Sequence, residues 1–227
     1  MSESASVTVV SIVGDAYAQP ICDLLSRLFA PNRKSWRNAV KVSSVENGYA
    51  VSVCVLAVLC LESYIMRARY RSTSFKTSGR DRSALTFFRQ RFPNYHSNDQ
   101  LSEVFVLRDA IAHNHLWEIE YSSVPEQEPR IQRAHLDNVS GDAKYREHVD
   151  RVRHRTKRLG LHVIPFQVGR KDAVSVLDQV FQALHHMEAD SIDICQISNT
   201  SVHYAKRRML IGDVIRHVRK WRVKSSA

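Results

Sequence analysis

Turn-forming residues are scarce in this sequence: its 227 residues include only 7 Gly and 6 Pro. A β-sandwich needs a turn about every ten residues, so the scarcity argues against one and for helices. Cysteine is sparse too. Cys22, Cys54, Cys60 and Cys195 form no CxxC pair, which excludes a cysteine zinc site and argues against a disulfide framework. Cys54 and Cys60 lie in an apolar run, where free thiols are commonly buried. HExxH and Cys/His metal patterns are absent. His185 and His186 are adjacent on an expected helix and cannot share a face, so no metal is expected. Walker A and GxGxxG patterns are missing as well, which removes the usual nucleotide and dinucleotide loops, and no cofactor is expected. The opening MSESASVTVVSIVGD starts acidic and lacks a basic n-region, so it does not read as a signal peptide. The longest apolar run, 49–61, falls short of the roughly 20 residues of a bilayer span. A soluble, cytoplasmic chain without membrane contact is expected.

Positive charge, by contrast, is abundant. Lys and Arg number 33 against 23 acidic residues, giving a net charge of +10. Such a field favours polyanions, and nucleic acid leads because no lipid anchor or amphipathic terminal helix is evident. The hydrophobic content of 44% is ordinary for a folded chain long enough to bury a core.

Patterning predicts about six helices and little strand. Residues 7–13 read as a short strand or extended arm. A helix is expected over 18–31, between an early Pro20 and a closing Pro31, and then a basic link over 32–41. Residues 46–69 read as a central buried helix, apolar on all faces and too long for a strand. Glu62 directly follows its most apolar part, either as a site residue or as a group at a solvent edge. A polar basic loop is expected over 71–82 and a helix over 83–92, stopped by Pro93. The next helix, 100–115, follows an Asn98-Asp99 cap signal and carries an apolar stripe of Val104, Leu107 and Ile111. Residues 122–143 read as irregular, 144–160 as a highly charged surface helix, and 161–168 as extended. The stretch 172–188 is amphipathic, with Val176, Val180, Leu184 and Met187 at helical spacing. The tail is mixed, a strand followed by a basic helix. The expected fold class is all-α, with short extended segments near both ends. Its divisions are an N-terminal arm or accessory helix over 1–44, a helical domain over 45–190, and a basic extension over 191–227.

The chemistry concentrates in VLRDAIAHNHLWEI, 106–119. Asp109 and His113, four apart, share a helical face, so the carboxylate can hold the imidazole and fix its tautomer. Arg108 lies five residues from His113, about 140° around the axis, awkward for one helix. Two copies across a two-fold axis would bring both pairs into one cleft. There a His can move the 2′-OH or leaving-group proton of RNA while an Arg binds the scissile phosphate. The competing reading is a helix C-terminus carrying caps and surface ion pairs between Arg108 and Glu103 or Asp109.

RDAIAH at 108–113 resembles the R-x(4–6)-H motif of the HEPN superfamily, in which Asn, Asp or His commonly follows the Arg. LESYI on the upstream helix, the motif late in the next helix, and an amphipathic helix afterwards extend the likeness over about 45–190. The resemblance implies a helical bundle that dimerises to form a metal-independent ribonuclease site. It assigns Arg108 and His113 as catalytic residues and Asp109 as their support. It also implies a role in toxin or antiviral systems, with an antitoxin or defence-system protein as a further partner. Where one subtype carries Tyr two residues after the motif His, this chain has His115. The RNA-binding candidates are Asn114 and His115, then Arg151, Arg155 and Arg158 from a run of seven cations over 144–158, and Arg207 and Arg208 from eight over 206–224. Trp221, Tyr204 and Phe75 are candidates for stacking on bases. The alternative class is a non-catalytic basic helical module that binds nucleic acid or a partner protein.

Overall fold

A computed structural model describes residues 13–30, 37–38, 40–72, 83–112, 117–122, 130–136, 143–190 and 195–224. The strand or arm expected over 7–13 lies almost entirely outside them, as do most of the basic link and the loop that includes Phe75. The described part is mostly helical, with a few short strands.

Helix α1 (Ala18–Leu28) precedes the central helix α2 (Ser44–Arg71). Ser43 starts α2, its hydroxyl accepting from the Glu46 N–H at 3.3 Å. By length and composition α2 is long enough to cross a membrane, unlike the shorter run within it. Half of its apolar stretch is buried, and it packs on α1, α4 (Asn98–Ala112) and α6 (Arg170–Asp190). Val53, Ala57, Leu61, Tyr64 and Ile65 from α2 meet Val176, Leu177, Val180, Phe181 and Leu184 of α6 in the main core. Each large apolar side chain removed from water there contributes roughly 1.5–3 kcal/mol. All four cysteines are free and buried. Burial pushes the thiols of Cys22, Cys60 and Cys195 up to about 12, and that of Cys54 well above its ordinary range.

The start of α6 is built from distant residues. Asp172 accepts the Gly169 N–H at 2.8 Å, and Glu46 of α2 accepts the Arg170 N–H at 3.1 Å. Two buried carboxylates thus meet the positive end of the α6 dipole. Gly169 leaves room for this close approach: a Cβ there would lie 2.9 Å from Glu46 Oε1, so the carboxylate would have to shift.

Two predicted segments differ. The charged helix expected over 144–160 is a short α5 (Ala143–His148), followed by an antiparallel pair of β3 (Val149–Asp150) and β4 (Arg155–Thr156). The reversal comes from Asp150, whose carboxylate accepts the N–H groups of Val152 (2.9 Å) and Arg153 (3.1 Å). Left-handed backbone at His154 (φ 51°) and Gly160 (φ 66°) completes the turn. Arg151, Arg155 and Arg158 therefore occupy a turn and a hairpin, not one helical face. The irregular stretch expected over 122–143 includes a hairpin of β1 (Trp117–Ser122) and β2 (Arg130–Leu136).

Near the C-terminus, β5 (Ser201–Tyr204) and β6 (Arg207–Leu210) form a hairpin that leads into α7 (Ile211–Lys224). Gln19 of α1 docks this hairpin: its amide donates to the His203 carbonyl (3.0 Å) and accepts the His203 N–H (2.8 Å). Residues on both sides of positions 44 and 190, such as Ile21, Leu25, Ile197 and Val214, share one core with α2 and α6. In their described parts the expected arm and extension are pieces of that core. Helix α3 (Ala84–Arg91) covers one end, capped by Ser83.

Candidate functional site

Helix α4 positions the site because it is enclosed on every side: residues 101–107 are all buried. Its Val104 and Leu107 join the main core, while Val106 packs with Tyr145, Val149 and Val163 in a second, smaller cluster. After this buried stretch, Arg108 and Asp109 are partly exposed. The helix ends at Ala112 instead of 115. His113, Asn114 and His115 lie outside the described residues, so the structure places Arg108 and Asp109 of the motif and says nothing of its histidine.

Arg108 is gripped by two carboxylates. One Nη donates to Glu62 of α2 in a very short contact, and the other meets Asp109 at 3.0 Å. The second Asp109 oxygen takes Lys144 of α5 at 3.0 Å. The Phe105 ring lies beside both cations, 5.7 Å from the Arg108 guanidinium carbon and 5.6 Å from Lys144 Nζ. Among the described residues, Arg108 Nε is buried without a hydrogen-bond partner. These side chains are only about a fifth to a third exposed, so their attraction is screened less than on an open surface. Burial raises the Glu62 carboxyl above its usual range against the pull of Arg108, with Asp109 adding to the rise and Lys144 opposing it. Glu62 thus faces Arg108, not open solvent. The quartet carries two formal positive and two formal negative charges.

Glu103 is not the surface partner of Arg108 expected from spacing. It is fully buried, and its two oxygens accept the Arg158 and Leu159 N–H groups, each at 2.8 Å. Arg158 also pairs with Asp99 at 2.5 Å. One face of α4, through Asp99, Glu103, Val106 and Asp109, therefore holds α5 and the hairpin after it. Arg151 and Arg155 are exposed. Arg207 and Arg208 are exposed neighbours on β6, where consecutive side chains point to opposite faces.

Two further polar groupings escaped the sequence reading. His162 places Nδ1 3.1 Å from both Asp172 oxygens, and its Nε2 lies 2.6 Å from an Arg37 Nη. A guanidinium only donates, so Nε2 accepts and Nδ1 carries the proton to Asp172. Arg37 and His162 are 125 residues apart, and no local pattern joins them. With His162 and Asp172 both buried, the set braces the fold. Ser198, His185 and Glu188 also converge, but Ser198 Oγ (3.0 Å) and Glu188 (3.4 Å) meet the same ring nitrogen, Nδ1. A nucleophilic relay needs them on opposite nitrogens. Among the described residues, no cluster of three or more His, Cys, Asp or Glu side chains is arranged to hold a metal.

Comparison with protein-family models, curated proteins and solved structures finds no match to this chain.

Proposed function

We propose that the chain is a metal-independent endoribonuclease of HEPN type, working as a cytoplasmic homodimer in a toxin or antiviral system with an antitoxin or defence-system partner protein. The observation that carries the reading is Arg108: a guanidinium at the rim of an α-helical core, fixed by Glu62 and Asp109, five residues before His113. In this reading RNA supplies its own nucleophile. His113 takes the 2′-OH proton as the 2′-oxygen attacks the adjacent phosphorus. The P–O5′ bond breaks, the 5′-oxygen takes a proton from water, the His113 imidazolium gives its proton back to the hydroxide so formed, and a 2′,3′-cyclic phosphate remains. Arg108 holds the phosphate oxygens as charge builds on them. Asp109 and Glu62 orient that guanidinium, and Lys144 steadies Asp109.

The test is cleavage of RNA in EDTA. Wild-type protein is expected to release products ending in a 2′,3′-cyclic phosphate. Arg108→Ala and His113→Ala are each expected to cut the rate at least a hundredfold, the usual contribution of one such group. Equal rates for all three proteins would remove Arg108 and His113 from the mechanism.

One observation favours a second reading, a basic module that binds RNA without cutting it. The Glu62–Arg108–Asp109–Lys144 quartet is neutral overall, and exposed cations stand apart from it, among them Arg151 and Arg155 after α5 and Arg207 and Arg208 on β6. That module would bind RNA with steep salt dependence, leave it intact, and keep its affinity in His113→Ala.

A further inference from the structure

The turn through 150–160 is held far more firmly than a solvated charge run requires. Asp150 fixes one end through two backbone N–H groups, and Thr156 Oγ1 accepts the Leu161 N–H at 3.0 Å. Lys157 Nζ caps the carbonyls of Arg146 and Glu147 at the end of α5. The buried Glu103 carboxylate ties the Arg158 and Leu159 N–H groups to α4. Around this frame, Arg153, Arg155, Lys157 and Arg158 line an open hollow of about 530 Å³. Their charge is only partly offset. Arg153 approaches Asp150 at 3.8 Å, Arg158 pairs with Asp99, and Arg155 has no side-chain hydrogen bond or ion pair among the described residues. Four cations carried side by side on a backbone held in place repel one another, and a polyanion relieves that repulsion.

We propose that this hollow is a cradle for the sugar–phosphate backbone of single-stranded RNA, held in register with Arg108 by Glu103. The choice of a strand over a compact polyphosphate follows from the backbone. The two adjacent N–H groups that would form a phosphate nest are already taken by Glu103. What remains is a row of side-chain cations along an open hollow, the form that tracks successive phosphates. Guanidiniums favour phosphate through paired donors. Glu103 and Asp99 precede Arg108 by five and nine residues, roughly 7–14 Å along the helix axis. The cradle is thus an anchor set back from the cleavage point. The inference rests on the ribonuclease reading only for this spacing, since RNA binding at the hollow stands without it.

The experiment measures binding of a labelled 12-nucleotide single-stranded RNA to the full chain between 50 and 200 mM salt, for wild type, R153A/R155A and Arg108→Ala. Each phosphate contact contributes about 0.7 to the slope of log affinity against log salt. The double variant is expected to flatten the slope by about 1.4 and weaken binding at least tenfold at the lowest salt. It is expected to raise KM for the 12-mer. An unchanged slope and affinity would overturn the cradle. Displacement of the RNA by inorganic triphosphate or by poly-glutamate, at matched charge and as readily as by unlabelled RNA, would overturn its occupant. Binding that depends on Arg153 and Arg155 in a protein that never cuts RNA upholds the cradle and removes the nuclease. Cleavage lost in Arg108→Ala but untouched on long and short RNA by the double variant does the reverse.

Discussion

Glu62 shows how one side chain is both readable and unreadable. Its place after LAVLCL marks it as a carboxylate at the edge of a buried stretch, and its contact with Arg108 is the form that edge takes. Lys144, 35 residues beyond Asp109, gave no such signal because nothing local ties a charged surface run to one carboxylate. Burial leaves Glu62 with a raised folded pKa, which has a definite sign. The folded state binds the Glu62 proton more tightly than the unfolded chain does, so the associated stability is complete below the unfolded pKa. It is lost as pH rises through the folded pKa. Glu62→Gln keeps an acceptor for Arg108 and removes the titration. Thermal melts from pH 4 to 8 are expected to show the variant gaining on wild type as pH rises. A constant difference in Tm across the range would refute this account of Glu62.

At the scale of elements, long apolar patterns were legible and charged ones were not. Helix α2 follows from the length of its all-round apolar run and α6 from its apolar stripe, and the structure lengthens each by a few residues. The run KYREHVDRVRHRTKRLG has good helix formers and no Pro, yet only its first five residues are helical. The break depends on the Asp150 turn and on Glu103 reaching across from α4, a long-range bond that outweighs local propensity. The β5–β6 turn breaks a local rule in the opposite sense. Ala205 and Lys206 both adopt left-handed backbone, φ 48° and 67°, where a two-residue hairpin turn favours Asn-Gly. Each costs about 1 kcal/mol there. The double change Ala205→Asn and Lys206→Gly is expected to stabilise the chain by roughly 1–2 kcal/mol in urea unfolding. Unfolding at the same or lower urea would show that neighbouring contacts, among them the Ala205 N–H to Ser26 Oγ bond, already remove the strain.

The whole molecule joins a neutral polar quartet to a chain of net charge +10. The excess charge was legible from composition, but the placing of Arg151, Arg153 and Arg155 on one hairpin and Arg207 and Arg208 on another was not, because a hairpin needs partners that composition does not name. If two protomers complete one site from the Arg108 of one and the His113 of the other, mixing the inactive Arg108→Ala and His113→Ala proteins restores cleavage. Half of the dimers are then mixed, each with one intact site, so about a quarter of the wild-type rate is expected. No recovery after exchange would confine both residues to one chain. The buried thiols bear on how such a dimer can be studied. With all four native thiols shielded and reluctant to ionise, the folded chain is chemically silent toward thiol-directed dyes and spin labels. One cysteine added at a hairpin tip would therefore carry the only reporter, turning the separation of two protomers into a single spectroscopic distance.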